Sequence, residues 1–253
     1  MEMPPVASWA RLSGTRTVSD ILYPKQISAA LDVEDIPVEL VWTRGMWGKI
    51  INHLQEDKPI GPTDYPGCQN DMVLAVKRWL PSLGRALVIG SVSPWIEAIL
   101  YRQGCHDIIT LDLAKIHSEI EELETVTYSE WERTGSKVDL IVSFSTVEHI
   151  GLGRYGDQQD EDADIKWMRY FALLNLKPNG VHLLGVPVGE ISVSSTAHRI
   201  YGPDRMKRMT EGWRFAEAIF HGRVLKSIPF AAQHDAYDWQ KQPILVLKPG
   251  REE

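Results

Sequence analysis

From residue 69 onward, apolar positions fall into two recurring patterns. Met72, Val73, Val76, Trp79 and Leu80 recur at helical spacing, and Pro81 is placed to stop that helix. The apolar run 85–89, closed by Gly90, predicts a buried strand, followed by a helix over 96–103 that ends near Gly104. Runs at 107–112 and 138–144 predict strands, with a weaker one at 125–128. A helix is predicted over 163–176, after which Lys177-Pro178-Asn179-Gly180 turns the chain into a strand over 181–187. Segments 222–228 and 243–247 supply the last two strands, while Trp213, His221, His234 and Trp239 read as packing or loop residues. Strands that are apolar without alternation, separated by helices, bury both faces of a parallel sheet. The pattern predicts an α/β, Rossmann-like, doubly wound sheet of seven strands, mostly parallel. No long helix separates the last two strands, so that pair is expected to be antiparallel.

The first third follows neither pattern. Seven prolines (Pro4, Pro5, Pro24, Pro37, Pro59, Pro62 and Pro66) punctuate it, and proline removes a hydrogen bond from any helix interior or central strand. Short elements fit between them: a helix near 26–31, an amphipathic stretch over 47–54, and a loop over 57–68. Residues 1–68 are therefore read as an extension packed on the main body as a cap or lid. Residues 69–253 form the α/β domain.

Charge and composition narrow the classes. The 253 residues carry 27 Lys and Arg against 34 Asp and Glu, a net charge of −7. That balance disfavours a broad electrostatic grip on nucleic acid or anionic membrane. No apolar run nears the ~18 residues of a membrane span, and no basic-then-apolar leader is visible. Two cysteines, Cys68 and Cys105, cannot build a disulfide framework or a zinc site. The expectation is a cytoplasmic protein without membrane insertion.

In a doubly wound sheet, ligands bind beyond the carboxyl ends of the strands, where strand order reverses. Gly90 and Ser91 follow the first strand, where a glycine permits a sharp turn close to a ligand, although a plain turn would use it too. Asp112 ends the second strand at the spacing from which a carboxylate accepts hydrogen bonds from ribose hydroxyls; a helix N-cap is its other reading. After the fourth strand come Ser143, Phe144, Ser145, Thr146, Val147, Glu148 and His149. A carboxylate beside an imidazole can relay protons or ligate a divalent cation, or Glu148 anchors backbone while His149 fills a gap. His198 lies past the fifth strand, where an imidazole could take a proton from a hydroxyl, and Arg199 could pair with an anion. Either could also be an ordinary surface residue. The acids of 158–164 read as a solvated helix start.

Together, Gly90, Asp112, the Val-Glu-His-Ile step at 147–150 and Leu-Lys-Pro-Asn-Gly at 176–180 resemble the class I S-adenosylmethionine-dependent methyltransferases. More narrowly, IGSVSPWIEAIL, SFSTVEHIGLGRYGD, LGVPVG and AHRIYG are similar to the DUF268 family, over roughly residues 70–213. The resemblance implies S-adenosyl-L-methionine as cofactor, with Gly90 and Ser91 toward its methionine part and Asp112 on its ribose. Ser143, Phe144 and Ser145 would line the floor near the methyl group. It further implies methylation of a small-molecule or glycan substrate, a sugar hydroxyl in surface-polysaccharide assembly, with His198, His149 and Glu148 as catalytic residues. The same three are the candidate ligands of a divalent metal. The chain departs from the family pattern in its first loop, Gly-Ser-Val-Ser-Pro in place of a glycine-rich turn, so a catalytically inactive binding protein in glycan assembly is the alternative. A nicotinamide enzyme would want the absent GxGxxG turn. Nucleic-acid methylation is disfavoured by the charge and by the residues after the fourth strand.

Overall fold

The computed structural model describes residues 39–62, 65–80, 84–112, 114–134, 136–153, 159–189, 192–194, 198–230 and 242–250. The helix expected near 26–31, His234 and Trp239 lie outside the described residues.

The described chain opens with strand β1 (Glu39–Trp42) and helix α1 (Arg44–Gln55), whose N-terminus is capped by the Thr43 hydroxyl accepting from the Met46 amide at 3.1 Å. Helix α2 (Cys68–Trp79) leads to β2 (Arg85–Ile89), α3 (Trp95–Arg102), β3 (Asp107–Asp112), β4 (Lys115–Ser118), β5 (Glu124–Thr127), α4 (Tyr128–Thr134) and β6 (Val138–Phe144). One 3-10 turn, Val147–His149, follows β6. Helix α5 starts as Ala163–Lys166, widens to a π-helix over Trp167–Ala172 and closes as Leu173–Asn175. Then come β7 (Leu176–Gly185), β8 (Ser192–Ser194), β9 (His198–Ile200), α6 (Pro203–Met209), β10 (Trp213–Phe220), β11 (Arg223–Leu225) and β12 (Ile244–Pro249).

The main sheet has the order β11-β10-β12-β7-β6-β2-β3-β5. Strands β5, β3, β2, β6 and β7 are parallel, and β12, β10 and β11 each run antiparallel to their neighbour. The chain builds outward from β2 to β3 and β5, then returns to place β6 on the other side of β2. The switch point therefore falls between β2 and β6. Both faces are buried: Leu87 and Ile89 pack with Trp131, Trp167, Met168 and Met206 on one side. Ala86 and Val88 pack with Trp47, Met72, Val76, Ile96 and Ile99 on the other. Residues 39–55 join this body: β1 pairs in parallel with β4 in a separate two-stranded sheet, and Leu40, Trp42 and Trp47 lie in this second cluster.

The expected α/β sheet is present, with one strand more than the pattern showed. Segments 223–225 and 244–249 do not pair with each other; each pairs with β10, which the sequence hid. Trp213 heads that strand rather than a loop. Its pattern is broken by Glu217, a buried carboxylate met by Arg78 at 2.7 Å and by the Trp79 indole N–H at 2.8 Å. Hydrogen bonding to Arg78 holds the Glu217 carboxyl below its usual range, so the charge stays in place under the sheet. His221 (φ +51°) and Gly222 (φ +72°) make the tight turn from β10 to β11. The Asp71 carboxylate accepts both their amides, at 2.9 and 2.6 Å. The turn expected at 177–180 appears as a bulge inside β7: Val138 faces Leu176 while Leu140 already faces Val181.

Candidate active site

The loop leaving β2 is pinned by side chains. Gly90 has φ +71°, and a Cβ there would lie 2.5 Å from Thr146 Oγ1 and 2.8 Å from its Cγ2. Thr146 Oγ1 in turn sits 3.1 Å from the Ile89 carbonyl and 3.2 Å from that of Phe144. The missing Cβ of Gly90 thus admits the threonine that ties the turn after β6 to the turn after β2. Next, the Ser91 amide donates to Asp112 Oδ2 at 2.8 Å, and the Ala114 amide donates to Oδ1 at 2.8 Å. Strand β4, not a helix, lies at 115–118, so the N-cap reading of Asp112 gives way to a short turn closed on Ala114. The carboxylate is half-buried at the end of β3. The Trp42 indole N–H donates to the Val92 carbonyl at 3.2 Å, so the segment before α1 also holds the loop. Beneath it, Glu97 is fully buried between Ser91 and Thr110, at 3.1 and 2.8 Å. Burial pushes its carboxyl up to about 7.

The turn after β6 carries the second half of the site. Ser143 is fully buried with its hydroxyl 2.9 Å from His182 Nε2, so the expected floor residue is instead spent inside the core. Burial pulls the His182 imidazole down to about 3, which keeps it neutral there. Phe144 is buried, meeting Tyr65 and Trp95 edge-on with ring centroids 5.3 and 5.6 Å away. Ser145 is held at φ +50°, a costly backbone for a serine. Its hydroxyl lies 2.7 Å from the Tyr65 hydroxyl and 2.8 Å from Glu148 Oε1. Gln242, just ahead of β12, donates through Nε2 to Glu148 Oε1 at 3.1 Å. Glu148 Oε2 is buried and has no hydrogen-bond partner among the described residues. Burial pushes the Glu148 carboxyl up to about 7.

One imidazole stands beside this acid and a second beside the first. His149 Nε2 is 3.8 Å from Glu148 Oε1, and the rings of His149 and His198 stand edge-on with centroids 6.4 Å apart. They do not form a metal centre with Glu148: among the described residues, no three or more His, Cys, Asp and Glu side chains group so as to hold a metal ion. Arg199 is not a surface residue, and the anion it faces is internal: its Nε lies 3.9 Å from the buried Asp164 carboxylate. It is buried and donates to the backbone carbonyls of Glu148, Ile150, Asp160 and Glu161, which braces the turn carrying the imidazole.

Sequence reasoning missed Trp42, Tyr65, Glu97 and Gln242. Glu97 carried a signal, a lone acid inside the apolar run Trp95–Leu100; the others have local surroundings that any surface loop shares. No described helix is long and apolar enough to cross a membrane.

The strand order, the switch point between β2 and β6, and the acid at the end of β3 define the class I S-adenosylmethionine-dependent methyltransferase fold. Two solved structures share it at TM-scores above 0.5. CcbJ methyltransferase from Streptomyces caelestis superposes with a TM-score of 0.52 at 13% identity, covering 80% of this chain and 96% of that one. The Burkholderia thailandensis 1,6-didemethyltoxoflavin-N1-methyltransferase, solved with 1,6-didemethyltoxoflavin and S-adenosylhomocysteine, gives 0.51 at 11% identity over 82% and 88%. Mitomycin 7-O-methyltransferase MmcR gives 0.46 at 12% identity; the match covers 72% of this chain and 54% of that longer one. Within the fold, the chain belongs to the family described as "Caenorhabditis protein of unknown function, DUF268", whose model matches residues 84–248. No curated protein matches it.

Proposed function

We propose that this protein is an S-adenosylmethionine-dependent methyltransferase that methylates a hydroxyl oxygen of a glycan or another hydroxyl-rich small molecule. The observation that carries the reading is that two half-sites meet at one switch point. Ser91 and Asp112 lie beyond β2 and β3, while Ser145, Glu148, His149 and His198 lie beyond β6 and β7. The residues fit a nucleoside: Asp112, a half-buried carboxylate at the end of β3 tied to the loop after β2, stands where a carboxylate accepts from ribose hydroxyls. Bound S-adenosylmethionine supplies a methyl group already activated on a sulfonium. The protein's remaining work is alignment and proton removal. His198 or His149 takes the acceptor's hydroxyl proton as the oxygen bonds to the methyl carbon and the carbon–sulfur electron pair returns to sulfur. Glu148 keeps a proton up to near neutrality, so it donates to or accepts from an acceptor hydroxyl rather than presenting a fixed charge. The half-buried Tyr65 and Ser145 stand hydroxyl to hydroxyl beside Glu148, polar groups suited to a sugar. Negative net charge supports an uncharged acceptor over nucleic acid, in the cytoplasm where the donor is made.

Titration calorimetry with S-adenosylhomocysteine tests the cofactor half. The intact chain should bind, and Asp112→Ala should bind at least tenfold more weakly, about 1.4 kcal/mol. Incubation with S-adenosylmethionine and candidate glycans should add one methyl mass, lost in His198→Ala with cofactor binding retained. No binding heat with either cofactor form would overturn the reading.

A further inference from the structure

The shortened first loop raises the question of what replaces its missing glycines, and the hydrogen-bond count beneath it answers. The Ser91 hydroxyl has one proton and two neighbours, the Ser93 carbonyl at 2.9 Å and Glu97 Oε2 at 3.1 Å. The Ser93 carbonyl already accepts from the Trp95 amide at 2.8 Å, so the Ser91 proton can go to either acceptor. Glu97 is fully buried, and burial without a cation favours the neutral acid, which can also donate to the Ser91 oxygen. Thr110 donates to the other oxygen, Oε1, at 2.8 Å. The Ser91 amide meanwhile points at Asp112 Oδ2.

We propose that Glu97 is the positioning residue of this nucleoside site: as a neutral acid it fixes Ser91 and, through the Ser91 amide, the carboxylate of Asp112. The assignment rests on the nucleoside reading given above. Complete burial of Glu97 and the nearby charge of Asp112 both favour the protonated form. Thr110 and Asp112 face Glu97 from β3, and Ser91 faces it from the loop. Helices α1 and α2 meet α3 through the apolar cluster holding Trp47, Met72 and Val76, and Tyr101 of α3 turns to Trp47 and His106. Above neutrality, ionised Glu97 competes with Ser93 for the Ser91 proton and adds a second negative charge behind Asp112. The loop then loses the arrangement that orients the ribose acceptor.

The test measures S-adenosylhomocysteine affinity at pH 6.0 and 8.5 for the intact chain, Glu97→Gln and Ser91→Ala, together with the infrared carbonyl stretch of protonated carboxylic acids. The intact chain should bind at least fivefold more weakly at the higher pH. Glu97→Gln, a permanently neutral isostere, should keep one affinity, and titration of the ligand or the histidines cancels in the comparison. Carboxylic-acid absorption should be present in the intact chain at pH 6.0, lost at pH 8.5 and reduced in Glu97→Gln to the part that Glu148 carries, while Glu148→Gln keeps the Glu97 part. Should Glu97→Gln not fold, Ser91→Ala leaves the acid in place and cuts its link, so the band should persist while the pH ratio flattens. The same pH ratio in the intact chain and in either variant, or no band assignable to Glu97, overturns the proposal. Absence of binding by all three proteins at pH 6.0 would overturn the nucleoside reading instead, and the band would still decide whether Glu97 is protonated.

Discussion

Replacing Gly90 with alanine isolates what that glycine is for. Two costs stack at this position. A side chain at φ +71° leaves the region L-residues prefer, roughly 1–2 kcal/mol. The new Cβ also drives into Thr146 at 2.5 and 2.8 Å, an overpacking cost of roughly 1–3 kcal/mol. Gly90→Ala should therefore lose about 2–5 kcal/mol. Thr146→Ala alone forfeits one hydrogen bond to backbone, about 1 kcal/mol. In the double variant the nearest threonine atom left is Cβ, 3.2 Å from the new methyl, so most of the overpacking is relieved and the backbone cost stays. The double variant should fall short of the summed single costs by about 1–3 kcal/mol. Gly104→Ala is the control: its φ is +91° and its Cβ would meet nothing within 4 Å, so it carries the backbone cost alone. Urea denaturation with unchanged slopes reads all four variants. Additivity within about 0.5 kcal/mol would refute the packing argument. S-adenosylhomocysteine affinity in the double variant then separates packing from ligand approach, because only the second would still suffer from the added methyl.

Stability against pH should have two opposed limbs. Glu148, near 4.5 when unfolded and about 7 when folded, binds its proton more tightly in the folded chain. Its contribution is complete below about pH 4.5 and is lost as pH rises through 7, about 1 kcal/mol of it between pH 6.0 and 8.5. His182, pulled from 6.5 to about 3, acts the other way: its contribution is complete above about pH 6.5 and is lost as pH falls toward 3. Glu97, also about 7 when folded, carries a like share of the alkaline limb, so denaturation midpoints should show Glu148→Gln roughly halving that limb and leaving the acid limb in place; an unchanged alkaline limb would refute the assignment. Asp71→Ala removes the acceptor of the His221 and Gly222 amides and should cost about 2–4 kcal/mol. Hydrogen exchange should then quicken first in the turn joining β10 to β11; a uniform change would count against that role.

The parallel core was legible because each of its strands is a short apolar run between helices, a pattern set by neighbours in sequence. The ends of β2, β3 and β6 were legible for the same reason, which is why Gly90, Asp112 and the Glu148–His149 pair were placed just beyond those strands from residues alone. Strand β10 was not, because Glu217 looks like a surface charge until Arg78 and Trp79 arrive from α2 to satisfy it. Ser143 and Ser145 are two positions apart in similar local sequence, yet one ends in the core on His182 and the other at the rim beside Tyr65.

Local chemistry along the chain determined the fold class and the end of the sheet at which a site would form, since strand, helix and turn preferences act over a few residues. Which side chains meet there was decided by tertiary structure. Thr146 fills the space left at Gly90, Tyr65 reaches Ser145 and Gln242 reaches Glu148 across dozens of residues. Such partners are chosen by packing and by the need of each buried polar group for a hydrogen bond, and neither is written in the residues adjacent to it.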